Sequence, residues 1–198
     1  NPETVTQYEV GLKDEPLPWL RANLAAYFTD YKNVQVNVRD PVTLVSTLEN
    51  AAAAEIYGLE GELFATPMQG LNIRAGFSLL HGEYKEYKNA QITVPTGLGG
   101  SGSATIDASG KTLIRTPDIT ANLGFDYTRD ALGGEVTWSA NAFYSGESYW
   151  EASNRVREAP YTIVNSEISW LDPSRRYRFA VWGENLLDEA YSLFVLSS

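Results

Sequence analysis

Residues Ala54 to Leu63 read AEIYGLEGEL, with Tyr57, Leu59, Gly61 and Leu63 on one side and Gly58, Glu60 and Glu62 on the other. Strand side chains alternate with period two, so this is an extended segment with one apolar and one acidic face. Seven further segments repeat the pattern. They run through Tyr8, Val10 and Leu12; Leu20 to Phe28; Leu71 to Leu79; Ile119 to Tyr127; Val136 to Tyr144; Thr162 to Trp170; and Tyr177 to Gly183. No window approaches the ~18 apolar residues of a membrane helix, so any membrane role falls to strands.

The connections sort by length. After the first, third, fifth and seventh segments the chain turns within a few residues, at DEPLP, TPMQG, RDALGG and LDPSRR. After the second, fourth and sixth it wanders, longest between Tyr87 and Thr116, where TGLGGSGSATIDASG suits a mobile loop. Leu44 to Ala54 also admits a helical reading. Antiparallel strands with short turns at one end and long loops at the other describe the wall of an outer-membrane β-barrel.

No Lys, Arg, Asp or Glu falls on the apolar faces, while the opposite faces carry Glu9, Lys13, Arg21, Glu60, Glu62, Arg74, Asp126, Glu167 and Arg178. A soluble sandwich divides its strands in the same way. Three details favour lipid. Several segments alternate for about nine to eleven residues, the length a tilted strand needs to cross a bilayer. Trp19, Tyr127, Trp170 and Tyr177 lie beside short turns and Tyr57, Tyr84, Tyr144 and Tyr149 toward the long loops, as two interfacial girdles would. The apolar face mixes Ala, Gly and Thr with large residues, which lipid tolerates and a packed core does not.

Composition narrows the function. A net charge of −10 argues against nucleic acid as partner. The absence of Cys fits passage through an oxidising periplasm but decides little. His81 is the sole histidine and by itself no metal site. Glu60 and Glu62, about 7 Å apart along one strand face, could imitate a glycosidase pair, yet lining a wet lumen accounts for them. TGLGGSGS lacks the Lys and the strand-to-helix setting of a phosphate loop. No Ser–His–Asp arrangement and no cofactor motif is found.

NPETVTQYEVGLK, YFTDYKNVQV, NAAAAEIYGLEGEL, TPDITANLGFDYT and GENLLDEAY stand in the order and near the spacing of the later barrel half of TonB-dependent receptors, which the chain resembles over nearly its whole length. The resemblance implies an all-β fold, an antiparallel transmembrane β-barrel of 22 strands closed by a plug. Residues 1–198 would supply about eight of those strands, fourteen to twenty-one, as a C-terminal part of the barrel without the plug, the TonB box or the last strand. It implies the outer membrane of a Gram-negative bacterium, partnership with TonB and its inner-membrane energising complex, and contact with outer-membrane lipid and lipopolysaccharide. The implied function is active import of a scarce nutrient, foremost a ferric siderophore or similar chelate, without catalysis. Haem, cobalamin and carbohydrates are further substrates in the family.

Ligand contacts would then come from the long-loop ends. Tyr84 and Tyr87 flank the longest loop, and GESYWEASNRVREAPY offers Tyr149, Trp150, Arg155 and Arg157. Aromatics and arginines suit an anionic chelate. The competing readings are girdle or loop packing for the aromatics, and solvent or lipopolysaccharide phosphate for the arginines. Asp188 and Glu189 in NLLDEAY read as loop anchors. The alternatives to a transporter are a small self-closing barrel acting as adhesin or anchor, an outer-membrane enzyme, and a soluble carbohydrate-binding sandwich.

Overall fold

Each of the eight alternating segments forms a strand, and each pairs antiparallel with its neighbour in sequence. The computed structural model describes residues 2–39, 46–97 and 99–195. The wall consists of β1 (Thr4–Leu17), β2 (Leu20–Arg39), β3 (Ser46–Met68), β4 (Leu71–Glu86), β7 (Ile119–Ala131), β8 (Gly134–Ser145), β11 (Tyr161–Leu171) and β12 (Arg178–Gly183), in that spatial order. Two small hairpins stand on the long-loop side: β5 (Ala90–Pro95) with β6 (Ser101–Ile106), and β9 (Ser148–Tyr149) with β10 (Arg157–Glu158).

Local chemistry sets the short turns. Ala131 pairs with Gly134 across a two-residue loop in which Leu132 (φ 54°) and Gly133 (φ 69°) are both left-handed, the type I′ geometry whose twist matches that of a hairpin. The Asp172 carboxylate closes the next turn by accepting from the Ser174, Arg176 and Tyr177 amides and from the Ser174 hydroxyl. Those bonds, led by the Ser174 hydroxyl, hold its pKa below the ordinary aspartate value. Gly70 (φ 80°) packs against Thr128, whose amide donates to the Gly70 carbonyl at 2.8 Å.

The register carries the apolar stripe across all eight strands. Leu12, Leu24, Gly61 and Phe77 lie side by side, then Ala121 and Tyr144. Further along, Trp138, Ile168 and Val181 align in turn. Among the described residues no second layer covers this face: Leu123 and Ile168, on interior strands, are each 55% exposed. An apolar face of this extent does not stay open to water, since each large side chain left exposed forgoes roughly 1.5–3 kcal/mol. The described strands therefore do not form the two facing sheets of a sandwich. One polar pair on the stripe is internally satisfied: Trp138 Nε1 donates to Ser166 Oγ at 3.0 Å, and Ser166 donates to the Ser139 carbonyl. Hydrocarbon supplies no partner for such groups, so they must find each other.

The sequence reading is corrected at two loops. β2 and β3 continue past the stripe as one long hairpin, bulged where Asn33 takes φ 56°, so residues 46–54 are strand and not helix. Positions 44 and 45 of the helical reading lie outside the described residues. The Gly/Ser-rich stretch expected to be a mobile loop supplies β6, which pairs with β5 just before it, Ala90 opposite Ile106 and Pro95 opposite Ser101. Its base joins the one cluster of buried hydrophobic residues in the described chain: Ala52, Tyr84, Tyr87, Ala90 and Ala108, flanked by Val34, Val36, Ile106 and Leu113. The packed core thus sits above the wall.

Candidate functional site at the outer mouth

The outward face records where hydrocarbon ends. Tyr8, Phe28, Tyr57 and His81 form one cross-strand row, with Tyr57 and His81 stacked at 4.8 Å. The next row outward aligns Thr6, Asp30, Glu55 and Glu83. Three carboxylates side by side repel, and lysines placed two residues further along their strands offset this. Lys32 meets Asp30 at 2.7 Å, and Lys85 meets Glu83 at 2.6 Å and Glu55 at 3.3 Å. Apolar band, aromatic row and charged rows follow one another as a bilayer interface requires.

The inward face carries the charged and amide side chains of the wall, with Phe64, Phe143 and Trp182 interspersed among them. Arg74 pairs with Asp126 and Arg178 with Glu167. Asn23 Nδ2 donates to Glu62 Oε2 at 3.2 Å, and Asn141 lies opposite Asn165. Glu60 and Glu62 face this interior while His81 lies on the outer face, 3.5 Å from Glu83, so the lone histidine cannot serve either glutamate. Among the described residues no three of His, Cys, Asp and Glu gather as metal ligands would.

At the long-loop end the chosen residues divide. Tyr84 and Tyr87 are each 7% exposed, their rings tilted together at 5.1 Å beneath the β5–β6 hairpin, and burial pushes the Tyr87 hydroxyl up in pKa. Tyr149, Trp150, Arg155 and Arg157 belong to the loop that follows β8, and that loop is interlocked with the one before β7. Asn154 (φ 59°) exchanges two hydrogen bonds with the Thr112 backbone, both 2.9 Å. Arg155 donates to the Thr93 carbonyl on β5 at 2.5 Å and pairs with Glu151 at 3.3 Å. Arg157 reaches Glu147 at 2.7 Å, and the Tyr149 hydroxyl donates to the same carboxylate at 2.8 Å. The Tyr149 bond first, then Arg157, holds Glu147 below the ordinary glutamate pKa; the same bond raises Tyr149. Trp150 Nε1 donates to Glu158 at 3.2 Å, and Glu158 also accepts from the Ser192 amide.

Two features escaped the sequence reading. Arg115 lies over the Trp150 ring, 5.0 Å from its centroid; nothing in LIRTPDI marks it, because the contact spans two loops. In NLLDEAY the anchor is Asn185, whose amide bonds the Glu189 backbone in both directions, while its own N–H donates to Asn165. The Asp188 and Glu189 side chains make none of these bonds. Tyr191 then stacks on Tyr161 at 4.9 Å.

Comparison with known proteins agrees with this architecture. A family model described as TonB dependent receptor-like, beta-barrel matches residues 1–186. The chain is similar in structure to the ferric yersiniabactin uptake receptor FyuA of Yersinia pestis, with TM-score 0.79 and 19% identity over 99% of this chain and 27% of that one. It is similar also to BauA, the ferric preacinetobactin receptor of Acinetobacter baumannii, with TM-score 0.67 and 22% identity over 94% of this chain and 26% of that one. A third similar structure is the copper transporter OprC, with TM-score 0.66 and 14% identity over 97% of this chain and 26% of that one. The chain spans about a quarter of the length of these structures. Eight sequential antiparallel strands, lipid-facing on one side, wet on the other and capped by interlocked loops, belong to the β-barrel of the TonB-dependent receptor family of the Gram-negative outer membrane.

Proposed function

We propose that residues 1–198 form a C-terminal part of the barrel wall of an outer-membrane active transporter. This transporter binds a ferric siderophore or similar chelate at its extracellular face and imports it with energy transmitted by TonB from the inner-membrane complex. The observation that supports this reading best is the joining of two parts. A wall whose charged side chains face inward carries at its outer end a cross-bonded set of loops bearing Trp150, Arg115 and the paired arginines. Two of the similar structures are named as ferric chelate receptors and one as a copper transporter, so metal chelates are the substrate class to test first. Trp150 and its neighbours carry the ligand role, whereas Tyr84 and Tyr87 support the hairpin above them. Lys32 and Lys85 stand where lipopolysaccharide phosphates would meet the wall.

No bond-making chemistry is assigned to this wall. Among its described inward carboxylates, Glu62 accepts from Asn23, and Asp126 and Glu167 pair with arginines. For the alternative of a small self-closing barrel of eight to ten strands, the eight described wall strands do not close by themselves, because β1 and β12 do not pair.

The test is growth under iron limitation on a panel of ferric chelates, with and without the gene. Growth on at least one chelate that depends on both this gene and TonB is the expected result. Indifference to every chelate would remove the uptake reading.

A further inference from the structure

Among the described residues at the mouth, the Arg115 guanidinium lies against aromatic rings and has no carboxylate partner. Arg115 precedes β7 at φ 56°, a left-handed conformation uncommon outside glycine, and its amide donates to the Tyr149 carbonyl at 2.9 Å. That kink sends the side chain across to the neighbouring loops. The guanidinium lies 5.0 Å from the Trp150 centroid and 5.8 Å from that of Phe194, and the residue is exposed. Among the described residues no carboxylate comes within ion-pair distance of it, whereas Arg155 and Arg157 are each paired to a glutamate. The nearby Glu158 is turned to the Trp150 indole and the Ser192 amide.

We propose that Arg115, seated on Trp150 and Phe194, is the anion-recognition point of the mouth and selects chelates that carry a free carboxylate. This rests on the uptake reading above. Guanidinium N–H groups form a planar fork matching the two oxygens of a carboxylate, and charge-assisted bonds of that kind are the strong ones. The aromatic seat limits the rotamers the side chain must lose on binding, and the ring edges leave an apolar shelf for the ligand's carbon skeleton. A free carboxylate at the periphery of a ferric complex offers both oxygens to that fork. The oxygens of a neutral trihydroxamate are committed to iron and offer no such pair.

The experiment uses the intact receptor that carries this wall, in outer membranes. Retention of radiolabelled iron is measured as ferric citrate and as the ferric complex of a neutral trihydroxamate. Arg115→Gln and Arg115→Lys are compared with the unsubstituted receptor after heat-modifiable gel mobility has shown that each is folded. Ferric citrate affinity should fall about 10- to 100-fold in Arg115→Gln, as loss of a charged bidentate contact predicts, and by a lesser factor in Arg115→Lys, which keeps charge without the fork. Trihydroxamate retention, where present, should not change. Unaltered citrate affinity in Arg115→Gln, or equal loss of both chelates, overturns the proposal and leaves uptake standing. Binding of the trihydroxamate but not of citrate by the unsubstituted receptor does the same. Retention of neither chelate together with growth on none of the panel overturns both readings. Should Arg115→Gln fail to fold, Arg115→Lys decides: lower citrate affinity supports the proposal and unchanged affinity sinks it.

Discussion

At the scale of single residues, the two faces place different demands on the same amino acid. A Cβ on Gly58, which faces inward, would meet the Leu79 carbonyl oxygen and the Tyr27 hydroxyl, each at 2.6 Å. On Gly61, which faces lipid, its three nearest contacts would all be atoms of the Phe77 ring, the movable end of a side chain. Gly58→Val should therefore destabilise the wall by about 1–3 kcal/mol, the ordinary cost of overpacking against backbone. Gly61→Val should cost less, since Phe77 can swing into fluid hydrocarbon. Urea unfolding of the receptor in lipid vesicles measures both, and the reverse order would contradict the assigned faces.

At the scale of elements, the two loop systems are held by different forces. The β5–β6 hairpin stands on an apolar cluster centred on Tyr84 and Tyr87. Tyr84→Ala should remove about 3 kcal/mol from that cluster and expose residues 90–106 to protease added to whole cells, while the wall keeps its heat resistance. The loop with β9 and β10 depends on charge at Glu147, which the Tyr149 hydroxyl and Arg157 keep ionised below the usual glutamate value. A depressed folded-state pKa contributes stability above the unfolded value, and that stability is lost as pH falls through the folded one. The loop should accordingly resist cleavage through mildly acid pH and open only once the pH has fallen below the ordinary glutamate range. Pepsin cleavage compared at each pH between the receptor and its Glu147→Gln variant checks this. The variant should be cleaved more readily across the range and show no added opening on acidification.

For the whole molecule, the decisive property is that one side of a single sheet meets lipid and the other meets water. Residues 1–198 include no cysteine, so this part of the wall adds no background to thiols introduced in it. Cysteine at Glu60, Ser78 or Asn122 should react with a charged, membrane-impermeant maleimide in opened outer-membrane preparations of a receptor whose lumen has been cleared with denaturant. At Leu59, Ala75 or Leu123 only a lipid-soluble reagent should label. Equal reactivity of the two sets with the charged reagent would mean that the apolar stripe does not touch hydrocarbon.

Much of this protein was written in its order of residues. Period-two alternation identifies all eight wall strands, because a strand that divides lipid from water must repeat every second side chain along its length. The turns are legible for a related reason: left-handed backbone at LGG and a carboxylate that closes its own turn at DPSRR are local needs met by local residues. The loops were not legible in this way. Whether Tyr84 binds a ligand or supports a hairpin depends on residues 90 and 108 folding back over it, and apolar contacts of that kind carry no periodic signature. The Arg115 seat joins positions 115, 150 and 194, and Asn154 reads the backbone of Thr112. Only the folded chain brings such distant groups together, so which aromatics are buried under the hairpin and which stay at the mouth was decided by tertiary packing, while the membrane wall was decided by the sequence.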